Sequence, residues 1–186
     1  MNRVYAIMGP PASGKSAIVK EVCRYGVKEM ISHTTRKPER GEQNGVDYYF
    51  VTEEELSKIQ LVERIQYSGY YYALSKDEVM KTVKQCPVSV VAVDRHGMTQ
   101  MKKIMGERVT SIYIMVDKAT IIERITEQGG NLEQMKRRIE YAEKEGEFDD
   151  WKIADHVVKN TGSLELAARQ VLAIMGLVLP TVPAKA

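Results

Sequence analysis

Eight residues near the N-terminus, Gly9-Pro10-Pro11-Ala12-Ser13-Gly14-Lys15-Ser16, carry the spacing G-x-x-x-x-G-K-[ST]. Each part of that spacing has a chemical use. Glycines let the chain curl so that backbone N–H groups point inward, and a helix starting directly after them adds its N-terminal dipole, which suits an anion. The spacing then predicts Lys15 as a point charge between β- and γ-phosphates and Ser16 as a hydroxyl ligand for Mg²⁺. The context agrees: residues 4–8 form an apolar run ending in Gly-Pro-Pro, and residues 15–25 repeat apolar side chains at helical spacing until Gly26. A strand, a loop and a helix in that order are expected to hold a nucleoside triphosphate. The loop alone does not choose between transfer, hydrolysis and a nucleotide-gated switch. Transfer needs a second anion site, a neutraliser of transition-state charge and the exclusion of water.

The elements that must position such a site follow from the apolar runs. Residues 88–93, 109–116 and 155–158 resemble residues 4–8, and each is followed by a helical pattern, at residues 98–105, 119–127 (with Asp117 as N-cap) and 164–177. Strands alternating with helices predict an α/β fold with a mostly parallel central sheet covered on both faces. From Ser32 to about Cys86 that rhythm breaks. This stretch holds six of the ten tyrosines, a hairpin is expected at Gln43-Asn44-Gly45 leading into residues 46–51, and Thr52-x-x-Glu55 and Ser75-x-x-Glu78 have capping-box spacing. It predicts an inserted lobe over 32–86. Residues 128–148 are charged and helical and predict a lid. The core is then 1–31, 87–127 and 149–178, with 179–186 as a flexible tail.

Composition narrows the class. With 186 residues the chain can bury a core without metal or disulfide support, and 27 Lys+Arg against 25 Asp+Glu leave a formal net charge of +2. That is too little to steer the whole molecule to nucleic acid or membrane. Cys23 and Cys86 lack zinc spacing and predict buried free thiols in a reducing compartment. No apolar run approaches membrane-span length, and no leader pattern opens the chain, so a cytoplasmic protein is expected.

The stretch "SHTTRKPERGEQNGVDYYF", residues 32–50, resembles the nucleoside-monophosphate-binding segment of the guanylate kinase family. The resemblance continues through Glu63, "YSGYYYALS", "VAVDRHG", the lid "RITEQGGNLEQMKRRI" and "VVKN". It implies a P-loop three-layer fold with a monophosphate-binding lobe and a helical lid, and an ATP:GMP phosphotransferase that uses Mg²⁺, with dGMP as an alternative acceptor. By the same resemblance Arg36, Tyr48 and Tyr72 face the acceptor phosphate, with Arg40 as a displaced second arginine. Ser32 and Glu63 face the guanine edge, Asp94 lies near the acceptor nucleoside, Arg124 and Arg138 close over the moving phosphoryl group, and Asn160 lies near the donor adenine. Physical chemistry supports these roles: a guanidinium fork fits phosphate, and a carboxylate accepts from both N1–H and the 2-amino group of guanine, a donor pair adenine lacks. The partners implied are nucleotides, with a monomer or a homodimer as the assembly.

The same residues have plainer explanations. Arg36 and Arg40 can be solvated loop charges, Tyr48 and Tyr72 ordinary hairpin aromatics like Tyr49, Tyr70 and Tyr71, Glu63 an exposed charge and Asn160 a turn former; His33 is expected on the lobe surface. Arg137 and Lys136 fit a solvated helix face, because Glu133, Glu140, Glu143 and Glu145 surround the basic run and count against a nucleic-acid patch. The chain also departs from the family pattern. Glu39 stands where a second phosphate arginine is usual, Ala73-Leu74 replace Gly-Ser/Thr and remove a hydroxyl expected near guanine O6, Ala92 replaces an acid, and Gln128 stands where arginine is common. A related P-loop kinase with another phosphorylated acceptor or relaxed base selectivity therefore stays open, as does a non-catalytic interaction module. Retained Lys15, Ser16, Arg124 and Arg138 speak against the module.

Overall fold

The computed structural model describes residues 2–67, 69–127 and 132–177. Gln128 and the segments 128–131 and 179–186 of the expected lid and tail lie outside the described residues. In chain order the elements are β1 (Arg3–Met8), α1 (Lys15–Cys23), β2 (Lys28–Glu29), β3 (His33–Thr34), β4 (Tyr49–Phe50), α2 (Glu53–Ser57), β5 (Leu61–Tyr67), β6 (Tyr70–Ser75) and α3 (Lys76–Gln85). They continue with β7 (Val88–Ala92), α4 (Arg95–Met105), β8 (Val109–Met115), α5 (Lys118–Glu127), α6 (Leu132–Lys144), β9 (His156–Lys159) and α7 (Leu164–Ile174). The α/β class follows directly, and the parallel pairs β2/β7 and β8/β9 belong to the central sheet.

The chain forms two compact units. One is carried by Met1–Ala6 and Val27–Thr110, the other by Ile7–Gly26 and the chain from Ser111 onward. The first holds the parallel strands β2 and β7 and a four-stranded sheet of order β4-β3-β6-β5; the second holds the parallel strands β8 and β9. The apolar runs of β1 and β8 supply fully buried Val4, Ala6, Ile7, Met8, Ile112 and Ile114. Such strands read as continuous rather than alternating because both faces are covered.

Local sequence sets the helix starts. Thr52 and Glu55 close a complete capping box on α2. Ser75 caps α3 by accepting from the Glu78 N–H, but the Glu78 carboxylate turns elsewhere, to the Ile31 N–H at 3.0 Å and the Thr82 hydroxyl at 3.3 Å. Asp117 caps α5 through the Thr120 N–H at 2.9 Å. Helix α4 starts three residues before the expected Met98, because Asp94 caps it through the Gly97 N–H at 2.7 Å.

The hairpin expected at Gln43-Asn44-Gly45 does not form. Strand β3 pairs with β4 in parallel, and the chain between them is fastened by its own turn chemistry: the Asn44 side chain accepts from the Phe50 N–H at 2.9 Å and the Gly45 N–H donates to the Tyr48 carbonyl at 2.7 Å. The hairpin within residues 32–86 is β5–β6 instead, with Glu63 opposite Leu74 and Ile65 opposite Tyr72. Neither cysteine is in a disulfide, and both are half-buried, not buried as expected.

Candidate active site

The donor half lies within the second unit. Its loop curls through three left-handed residues, Gly9 (φ 146°), Ala12 (φ 56°) and Gly14 (φ 92°). At two of them glycine is needed for space as well: a Cβ on Gly9 would sit 2.7 Å from the Ile114 carbonyl oxygen, and one on Gly14 would sit 2.5 Å from Asn160 Nδ2. Ser13 and its neighbours Pro10 and Pro11 are buried, whereas Ser16, the second residue of α1, is exposed. Lys15 folds back on the loop, its Nζ donating to the carbonyls of Gly9 at 2.6 Å and Pro10 at 2.9 Å. The ammonium thus rests on two neutral acceptors that triphosphate oxygens can replace.

Asn160 ties this half together. Only 3% exposed, it donates through Nδ2 to the Ser13 carbonyl at 2.8 Å, its N–H donates to the Met115 carbonyl at 2.8 Å, and its own carbonyl accepts from Arg124 at 2.5 Å. Its Oδ1 and the Ser13 hydroxyl have no hydrogen-bond partner among the described residues. An unpaired acceptor in so buried a place is costly unless a ligand donor reaches it. Arg138, on α6, is half-buried.

The acceptor half lies within the first unit, on one face of the β4-β3-β6-β5 sheet. Residues directly opposite across a ladder share a face, so Glu63, Leu74, Tyr72, Ile65 and Thr34 look the same way. Arg36 belongs to this group. Its guanidinium stands 5.6 Å from the Tyr48 ring centroid, Tyr72 lies close enough to act on its pKa, and the two tyrosine rings meet edge-on at 5.9 Å. Arg36, Tyr48 and Tyr72 are therefore brought together. The fork is held bidentately by the Glu42 carboxylate at 2.9 and 2.8 Å, with Glu39 3.3 Å away. Glu42 in turn accepts from the Glu39 N–H at 2.7 Å. This pairing raises the Arg36 pKa and lowers that of Glu42. Arg40 is exposed and Ser32 half-buried.

Glu63 sits deeper, 9% exposed. Burial first, and then the neighbouring Asp94 carboxylate, raise its pKa to about 9, so it keeps its proton at neutral pH. Its Oε2 has no partner among the described residues. A buried acceptor poised in this way suits a ligand that brings N–H donors. Leu74, opposite Glu63, is fully buried, and the Ser75 hydroxyl is taken by its cap.

On the other face His33 is buried, not on the lobe surface as expected. Its ring packs 4.9 Å from Tyr49, whose hydroxyl donates to Glu78 at 3.1 Å, and burial lowers its pKa. The register explains the error: His33 pairs with Ala73, a small residue that leaves room for the ring under the sheet. Glu42 and Gly97 both touch the candidate site and carry no motif in the sequence that marks them. A glycine in the first turn of α4 is the one local signal that would have flagged the latter.

A guanylate kinase family model matches residues 1–175. The chain belongs to the guanylate kinase family. It is 30% identical over 94% of its length to the guanylate kinase of Fusobacterium nucleatum, covering 96% of that protein. It is also 30% identical to the guanylate kinase of Schizosaccharomyces pombe, over 86% of each chain, and to that of Bacillus cereus, over 91% of this chain and 85% of the relative. The crystal structure of guanylate kinase from Anaplasma phagocytophilum has the same fold, with a TM-score of 0.68 at 23% identity over 94% of this chain and 85% of that one. Guanylate kinase relatives matched nearly end to end make this chain an enzyme of the family rather than an interaction module. Among the described residues no helix is long and apolar enough to cross a membrane.

Proposed function

We propose that the chain transfers the γ-phosphoryl group of ATP to GMP, and to dGMP, giving ADP and GDP or dGDP, in the cytoplasm. The observation that carries the acceptor assignment is the buried Glu63 carboxyl with an unpartnered Oε2 beside Asp94. Guanine offers N1–H and a 2-amino donor to such a group, and a base without them leaves it unpaired, which binding sites punish heavily. Arg36, Tyr48 and Tyr72 take the acceptor phosphate, its oxygens exchanging with the Glu42 carboxylate as partner of the guanidinium fork. Ser32 and Asp94 complete the nucleoside contacts, and Arg40 adds positive charge from the loop.

On the donor side the backbone of residues 9–16 cradles the triphosphate, Lys15 leaves the Gly9 and Pro10 carbonyls for the β- and γ-phosphates, and Asn160 Oδ1 accepts from the adenine amino group. The donor set fits a magnesium ion that arrives with the nucleotide. The described residues include no cluster of three His, Cys, Asp or Glu that could hold a metal alone, and the Ser16 hydroxyl is exposed at the loop end. Ser16 and phosphate oxygens would hold the ion, which when bound neutralises phosphate charge. Arg124 and Arg138 add positive charge around the transferring group. No general base is required, because the acceptor phosphate oxygen is already ionised.

A coupled assay of ADP release with GMP, dGMP, IMP and AMP tests this directly. GMP is expected to be the preferred acceptor, with turnover abolished by EDTA. Preference for AMP would overturn the acceptor assignment.

A further inference from the structure

Glu63 of β5 meets α4 at Gly97. A Cβ built on Gly97 would overlap the Glu63 carboxyl, with Oε2, Cδ and Oε1 as its three nearest atoms. The backbone does not ask for glycine here, since Gly97 is helical and absent from the left-handed positions, and glycine inside a helix weakens it. The missing side chain is therefore explained by what occupies its place. The same residue donates its N–H to Asp94 at 2.7 Å. Gly97 is buried, so an added methyl has no solvent to turn into.

We propose that Gly97 is a positioning residue for the acceptor base: its bare Cα makes the niche in which the Glu63 carboxyl lies beside Asp94, with Oε2 seated against the glycine. This rests on the assignment of Glu63 to the guanine edge. Neighbours from each side define the niche. Asp94 faces it from α4, and the uncharged Leu74 is the register partner from β6. An alanine at 97 pushes the carboxyl out of the niche while leaving the Asp94 cap, which uses the backbone N–H, in place. The damage is thus expected in base recognition rather than in phosphoryl transfer.

The test is steady-state kinetics with GMP and with IMP, which lacks the 2-amino group, on the wild type, G97A, E63A, E63A/G97A and E63D/G97A. G97A is expected to raise KM for GMP about tenfold or more while kcat moves little, and to shrink the preference for GMP over IMP. With Glu63 truncated, G97A is expected to cost nothing further, and the shorter Asp in E63D/G97A is expected to recover part of the loss. Equal losses for GMP and IMP, or the same loss with and without Glu63, would show that Gly97 serves only the packing of α4 and overturn the proposal. Should G97A alone not fold, E63A/G97A, in which the niche is vacated, must fold; failure there overturns the proposal as well. A wild type that used AMP but not GMP would overturn the acceptor assignment itself, whereas a GMP preference untouched by G97A would overturn the Gly97 role alone.

Discussion

Asn160 reaches from the end of β9 to the phosphate loop, its Nδ2 donating to the Ser13 carbonyl at 2.8 Å. Because its backbone carbonyl also accepts from Arg124, one buried residue fastens the loop by its side chain and an arginine by its main chain. Removing the side chain leaves the Ser13 carbonyl unpaired, at about 1–3 kcal/mol for a buried group. Asn160→Ala is therefore expected to lower Tm by several degrees and to raise KM for ATP about tenfold, with KM for GMP unchanged. Thermal unfolding and ATP titration check this; an unchanged Tm would mean that the amide does not brace the loop.

Lys15 folds back on the loop, where its Nζ donates to the Gly9 and Pro10 carbonyls. Lys15→Ala removes a charge expected to act on the moving phosphoryl group and is expected to cut kcat about a hundredfold or more. The acceptor half carries none of this charge, and GMP binding by calorimetry is expected to stay within about twofold of wild type. Retained turnover in Lys15→Ala would remove the loop from the mechanism.

The loop, the strands 4–8 and 109–116, and the capped helices were legible in the sequence because each depends on residues adjacent in the chain. Turn glycines, Ser and Thr caps and apolar runs state their structure locally. The lobe was less so. "QNG" has the local chemistry of a hairpin turn, yet β3 and β4 run parallel and the hairpin forms at β5–β6, because pairing was decided by where Thr34 and His33 could dock on Tyr72 and Ala73. His33 and Gly97 escaped for the same reason. The partner of each, Tyr49 and Glu63, lies many residues away in the chain, and nothing in a local window states that a ring or a carboxyl will arrive there.

Arg36 makes a bidentate pair with Glu42 beside the Tyr48 and Phe50 rings, a geometry only a planar fork can satisfy. Lysine keeps the charge but not the fork. If the acceptor phosphate uses the same two donors, Arg36→Lys is expected to raise KM for GMP about ten- to a hundredfold, the range for hydrogen bonds to charged groups, and to leave KM for ATP unaltered. Initial-rate kinetics decide it, and an unchanged KM for GMP would place the acceptor phosphate elsewhere.

Glu63 makes stability and binding depend on pH in a calculable direction. Burial, and then Asp94, raise its carboxyl from the usual 4.5 to about 9. Between those values the unfolded chain has released this proton and the folded chain has not, so the contribution of Glu63 to stability is full below about 4.5 and is lost as pH rises toward 9. Glu63→Gln is neutral throughout, so the Tm advantage of this variant over wild type is expected to widen from pH 5 to pH 8. A constant difference would mean that the folded carboxyl is already ionised. Guanine needs the carboxylate as acceptor for N1–H and the 2-amino group, so GMP must displace the proton on binding. GMP affinity is thus expected to rise close to tenfold per pH unit between 6 and 8, by linkage. Calorimetry at pH 7 in buffers of different ionisation enthalpy is expected to show release of about one proton per GMP bound. Binding of GMP without proton release would mean that the base is held by other groups than this carboxyl.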